Sequence, residues 1–192
     1  MKYHKLPYKL ARYSRKNAGM KPMNFLSILC GVALAASTLP AHAGKETPPT
    51  TGPTIPGNKA ALKGNIAYAP ENAPDCVKRA IWATNYLTWR PYVWGGGHGS
   101  FYDRGYDCSG TVSFMLHHAG LIEQPAASNE LVNYGQCGQG KWITVFARNG
   151  HTFAVVAGLR LDTTGFGGED GPRWRLNGRS AWGFAARHPA GL

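Results

Sequence analysis

Apolar positions recur at helical spacing in two stretches of the chain and alternate with polar ones in a third. Val77, Ile81 and Tyr86 form a stripe that predicts a first helix from Pro74-Asp75 to about Trp89, stopped by Pro91. Val112, Met115, Leu116 and Ala119 share one face of a second helix that starts at Cys108, with Asp107 as its N-cap and Gly120 at its end. Between the two lies a glycine-rich loop, Trp94 to Ser100. Downstream, Lys141 to Ala147 reads as a strand, and Asn149-Gly150 is a hairpin dipeptide that returns the chain as His151 to Ala157. Gly158 turns it again into Leu159 to Thr163. After a loose Gly-rich stretch (164–171), Trp174 and Gly183 to Ala186 add a last strand. Helices first and antiparallel strands afterwards predict an α+β fold, with N-terminal helices packed on a C-terminal antiparallel sheet.

The first 43 residues have a different character. Lys21 precedes an apolar run from Phe25 to Ala36, and Ala41-His42-Ala43 has the small-x-small pattern of a signal-peptidase site. Residues 1–43 therefore read as a secretory signal cleaved after Ala43. The run is too short for a membrane span, which needs about 20 apolar residues, so no anchor remains after cleavage. Met20 is an alternative start. Residues 44–68 contain a Pro/Thr/Gly-rich stretch and read as an extended tether, leaving 69–192 as one domain without repeats. The full chain carries a net charge of +11, but seven of its 21 Lys/Arg lie in residues 1–43, where there is no Asp or Glu. The remainder holds 14 basic against 10 acidic residues, or +4, which removes most of the case for nucleic acid. Mild positive charge suits an anionic cell envelope, and the expected location is the periplasm or the exterior.

Compartment changes the meaning of the cysteines. After cleavage Cys76, Cys108 and Cys137 remain, and an odd count in an oxidising environment leaves one thiol unpaired. The economical assignment bonds Cys76 to Cys137 and leaves Cys108 free. A cysteine at the first turn of a helix faces outward-pointing N–H groups that favour the thiolate, which suggests a nucleophile. The alternative is a small buried cysteine or half of a disulfide. A thiol nucleophile needs a base, and the base needs a third group to hold its ring. His151, at the start of a strand after a tight turn, is the best-placed base. Asp162, on the neighbouring strand, would return beside it and accept its N–H; otherwise it is a strand-edge acid paired with Arg160.

Pro91-Tyr92-Val93-Trp94-Gly95-Gly96, then Asp107-Cys108-Ser109-Gly110, then Gly150-His151 resembles the NlpC-type, papain-like endopeptidases of bacterial peptidoglycan. The match covers about Pro91 to Gly158. The resemblance implies a cysteine peptidase domain over 69–192 that hydrolyses an amide in a peptidoglycan stem peptide, typically between D-Glu and a diamino acid. Cys108 would be the nucleophile and His151 the general base and acid. The third position falls on Asp162 or its neighbour Thr163, with His188 a substitute if the tail folds back. It also implies that Tyr92, Asp107 and Ser109 line the substrate pocket, with Asp107 and Ser109 on the free amino end of the stem peptide. Its partner would be that peptide, acted on by a monomer without cofactor or metal.

Other motifs carry less. The loop Gly95 to Ser100 lacks the Gly-Lys-Ser/Thr ending of a phosphate loop. Adjacent His117 and His118 point to different faces of a helix, so one reads as surface and the other as packing, not as metal ligands. Trp82, Trp89, Trp94 and Trp142 read as core packing before sugar-stacking platforms. Rival functions are a catalytically silent peptidoglycan-binding domain, and an acyltransferase or amidase using the same Cys–His pair.

Overall fold

The computed structural model describes residues 47–164, 171–176 and 178–192. Residues 1–43, read above as a secretory signal, and most of the Gly-rich stretch after Thr164, lie outside them. The chain is α+β. Among the described residues three α-helices, α1 (Asp75–Thr84), α2 (Cys108–His118) and α3 (Ser128–Leu131), accompany two sheets. The larger sheet has six strands: β4 (Gln136–Cys137), β5 (Ile143–Arg148), β6 (His151–Val156), β7 (Leu159–Asp162), β8 (Arg173–Arg175) and β9 (Ala185–His188). They lie in the order β4-β9-β5-β6-β7-β8, every pair antiparallel.

The expected tether over 44–68 is corrected by the smaller sheet. Residues β1 (Thr54–Ile55), β2 (Ala61–Lys63) and β3 (Ile66–Pro70) pair in the order β1-β3-β2. Ala67 and Ala69 are fully buried against α1. The Asn85 side chain clamps both backbone groups of Ala67, accepting from its N–H and donating to its C=O, each at 2.9 Å. Trp82 Nε1 donates to the Pro53 carbonyl at 2.9 Å. These strands are too short for their alternation to outweigh a Pro/Thr-rich composition, and small alanines carry the burial.

Helix α1 buries Val77, Ala80 and Ile81 as its stripe predicts. It ends at Thr84, earlier than expected, and continues as a 3₁₀ turn over Asn85–Leu87. Helix α2 is buried along Cys108 to Leu116, so it runs through the interior. Val112, Met115, Leu116 and Ala119 join the main core, while Phe114 on another side packs with Ala83, Leu87 and Tyr106. At its end Gly120 takes φ 76°, its N–H bonds His117 O, and Leu121 N–H bonds Leu116 O, the two bonds of a Schellman cap.

In the large sheet Ile143, Val145, Ala154, Val156 and Leu161 face the helical core. The hairpin β6–β7 turns through Ala157 (φ 47°) and Gly158 (φ 91°), both positive as a two-residue type I′ turn requires. The single expected last strand proves to be two. Trp174 lies on β8 at one edge, while β9 inserts between β4 and β5. The other face carries His151, Phe153 and Asp162. It is covered by the chain after β8, where Phe184 stands edge-on to Phe153 at 5.1 Å and the Arg179 guanidinium lies 4.9 Å from that ring.

Candidate active site

Cys108 is the first residue of α2 and is 8% exposed. Asp107 caps the helix in an extended conformation, its Oδ1 accepting from Gly110 N at 2.7 Å. The same oxygen accepts from Ser109 Oγ at 3.1 Å, and Oδ2 accepts from Gly95 N at 3.1 Å. One carboxylate therefore fixes both the helix start and the loop before it. The glycines of the two motifs meet here. A Cβ on Gly110 would strike the carbonyl oxygen of Gly96, and one on Gly96 would strike that of Gly105. The loop can cross the first turn of α2 this closely only because both positions lack a side chain.

His151 opens β6 and is mostly buried. Burial disfavours its charge. Hydrogen bonds to Asp162 and Cys108, and the negative charge of both, outweigh that and push its pKa up to about 9. Nε2 lies 3.4 Å from Asp162 Oδ1. The register sets Asp162 one diagonal step from His151, because Ala154 pairs Leu161 and Phe153 therefore faces Asp162. Asp162 is 1% exposed. Burial alone would raise its pKa; bonds from His151, Thr164 N–H and Arg179 overcome this and hold it near 2. Its other partner is Arg160, with Nε 3.6 Å from Oδ2.

The structure thus brings Cys108, His151 and Asp162 together. Tyr92, Asp107 and Ser109 join Cys108 around a cleft of about 360 Å³, with Trp94, His98, Ser128 and Gly150 on its walls. Tyr92 is 41% exposed, which suits a cleft residue. Of the alternative third groups, Thr163 is buried and its hydroxyl makes no hydrogen bond. His188 lies towards the other end of β5 from His151: its neighbour Arg187 pairs Val145, whereas His151 pairs Arg148, and its Nδ1 bonds Gly138 O at 3.1 Å.

Several expectations fail. Cys76 and Cys137 are both free: Cys76 packs from α1 against the main core, while Cys137 is exposed on edge strand β4 with Arg187 Nη1 2.8 Å from its sulfur. Trp89 and Trp94 are exposed, because α1 ends before them, and Trp182 is as well; Trp142 is buried as expected. His117 and His118 both pack among aromatics, with His117 stacked on Phe101 at 3.9 Å and His118 4.4 Å from the Phe114 ring. Burial and the charge of His117 lower the His118 pKa to about 4.

Two site residues were missed. His98 Nε2 lies 3.1 Å from both Asp107 Oδ1 and Ser109 Oγ, in the corner assigned to a substrate amine. Its only signal was its place in the glycine loop. Arg179 Nη1 lies 2.9 Å from His151 Nε2, 2.7 Å from Asp162 Oδ2 and 2.9 Å from Thr164 Oγ1. Nothing in its sequence neighbourhood marks it. No known family model matches the chain, and no curated protein is significantly similar to it.

Proposed function

We propose that this protein is a cysteine peptidase of the NlpC-type, papain-like kind, exported to the periplasm or exterior, that hydrolyses an amide in peptidoglycan stem peptides. One observation carries the reading: a cysteine at a helix N-terminus lies close enough to a histidine to favour its charge, and a buried carboxylate holds that histidine from behind. The order of the three motifs supports the family resemblance, and the α+β frame is compatible with it.

In this reading the Cys108 thiolate attacks the scissile carbonyl carbon while His151 holds the proton. The developing oxyanion meets the N–H groups at the start of α2, and one such donor contributes about 3 kcal/mol. The tetrahedral intermediate collapses as His151 passes its proton to the leaving amine, which departs and leaves a thioester. His151 then takes a proton from water, the hydroxide adds to the thioester, and the freed acid leaves the thiolate–imidazolium pair restored. Asp162 keeps the ring oriented throughout. Asp107 Oδ1 is already occupied by Gly110, Ser109 and His98, so a substrate ammonium would enter at Oδ2 or displace His98.

Digestion of purified sacculi and of isolated stem peptides by wild type and Cys108→Ala, with products read by mass spectrometry, tests the proposal. Cleavage between D-Glu and the diamino acid by wild type alone is expected. Equal cleavage by both proteins ends the nucleophile assignment, and products carrying an added amine would make the enzyme an acyltransferase.

A further inference from the structure

Behind the His151–Asp162 pair lies a second cavity of about 320 Å³. Phe146, Phe153 and Val155 of β5 and β6 line it, as do Arg160 of β7 and Leu176 and Arg179 of the chain after β8. The two phenylalanine rings stack at 4.8 Å and make an apolar surface. The charged side centres on Arg160 and Arg179. Arg160 is 7% exposed, its Nε makes no hydrogen bond, and its one ion-pair contact is the 3.6 Å approach to Asp162. That carboxylate already serves Arg179 at 2.7 Å and His151. Among the described residues, Asp162 is the carboxylate paired with both Arg160 and Arg179. A guanidinium buried without full hydrogen bonding is costly, and an anion inside the cavity would relieve that cost.

We propose that this cavity binds a small organic carboxylate, its head group on Arg160 and Arg179 and its apolar body on Phe146 and Phe153, and that binding draws Arg179 away from His151. The coupling follows from one shared atom. Arg179 can donate to Nε2 only while that nitrogen is unprotonated, whereas the imidazolium directs an Nε2–H at Asp162. A bound carboxylate competes with Nε2 for the guanidinium and so favours the ionised thiol–imidazole pair. By reciprocity, the ionised pair tightens the carboxylate. The coupling rests on the Cys108–His151 reading; the binding site does not.

The test uses the purified chain with benzoate as probe, and acetate, inorganic phosphate and benzyl alcohol as comparison arms. Binding is followed by calorimetry, and Cys108 alkylation by iodoacetamide is followed by mass spectrometry. Benzoate should bind saturably, and Arg160→Met should weaken it about tenfold or more, the worth of one charged hydrogen bond. Arg160→Lys should recover part of the affinity, which a mere loss of folding would not allow. The comparison compounds should bind more weakly than benzoate. Cys108→Ala should still bind benzoate, so a failure of the peptidase reading leaves this result standing. Saturating benzoate should speed alkylation of Cys108 in wild type and leave Arg160→Met unchanged. Absent saturation in wild type, equal binding by a folded Arg160→Met, or phosphate binding as tight as benzoate would overturn the site. Binding without faster alkylation would overturn the coupling.

Discussion

Replacing Asp162 with Asn removes the charge behind His151 while keeping an oxygen able to accept from Nε2. In the wild type His151 titrates near 9 against 6.5 for a free side chain, although burial opposes its charge. At 1.36 kcal/mol per unit, the net shift is worth about 3 kcal/mol towards the cation, and its partners contribute more than this because burial opposes them. Both Asp162 and Cys108 supply that stabilisation. An even division assigns Asp162 about 1.5–2 kcal/mol, or a factor of roughly ten to thirty in the imidazolium population. The fall should be larger if Arg160 and Arg179, freed of their carboxylate, repel the ring. Histidine ring resonances followed by NMR across pH should show the His151 midpoint drop by more than one unit in Asp162→Asn. Cys108 alkylation at slightly acid pH should slow about tenfold with it. Cys108→Ala and the double variant complete a cycle that separates the two shares. The sign of the stability effect also follows. The His151 contribution is full below 6.5 and is lost as pH rises through about 9. The Asp162 contribution is present above 3.8 and is lost as pH falls through about 2. The variant should therefore lose less stability than wild type between neutral and alkaline pH. An unmoved His151 midpoint in a folded Asp162→Asn protein would refute the assignment of Asp162 as the group that holds the base.

Other expectations are more local. Gly110→Ala drives a methyl group into the Gly96 carbonyl, a backbone contact that cannot rotate away, and should cost about 3 kcal/mol or more in urea unfolding; a loss under 1 kcal/mol would contradict the close crossing of loop and helix. Asp107→Ala removes the α2 cap and the Gly95 anchor together and should lower stability by about 2 kcal/mol, whereas Asp107→Asn, which still caps, should stay within about 1 kcal/mol by thermal melting. Alkylation of the native protein without reductant should label exposed Cys137, and peptide mapping should find no Cys76–Cys137 cross-link; a stoichiometric disulfide between them would overturn their placement on α1 and on β4.

Both the α+β frame and the positions of Cys108 and His151 were legible because each rests on local chemistry. Asp107 next to Cys108 announces a helix start, Gly120 announces its end, and Asn149-Gly150 fixes where β6 begins. Once β6 and β7 are joined by a two-residue turn, period-two geometry places Asp162 on the face of His151 without further information. The three N-terminal strands were illegible for a different reason. They are two to five residues long, and their stability comes from α1 through Asn85 and Trp82, side chains whose use as backbone partners leaves no pattern in the sequence. The disulfide failed because parity of cysteines carries no distance.

Arg179 shows where sequence reasoning stops. It lies 28 residues after His151, beyond β8 and outside any strand, yet its Nη1 lies 2.9 Å from His151 Nε2 and donates to Asp162 and to Thr164. No period or cap places it there; what does is the aromatic surface of Phe153 and Phe184, over which its guanidinium lies at 4.9 and 5.5 Å. Those rings are themselves present because the sheet is covered on both faces, a tertiary outcome of β9 returning to pair with β5. Asp162 consequently answers to three cations, and only one of them, His151, can take part in proton transfer. Under the proposed function, whichever cation the carboxylate favours decides whether the base is poised or idle, so control of the thiol would pass to the chain beyond β8, which the motifs do not include.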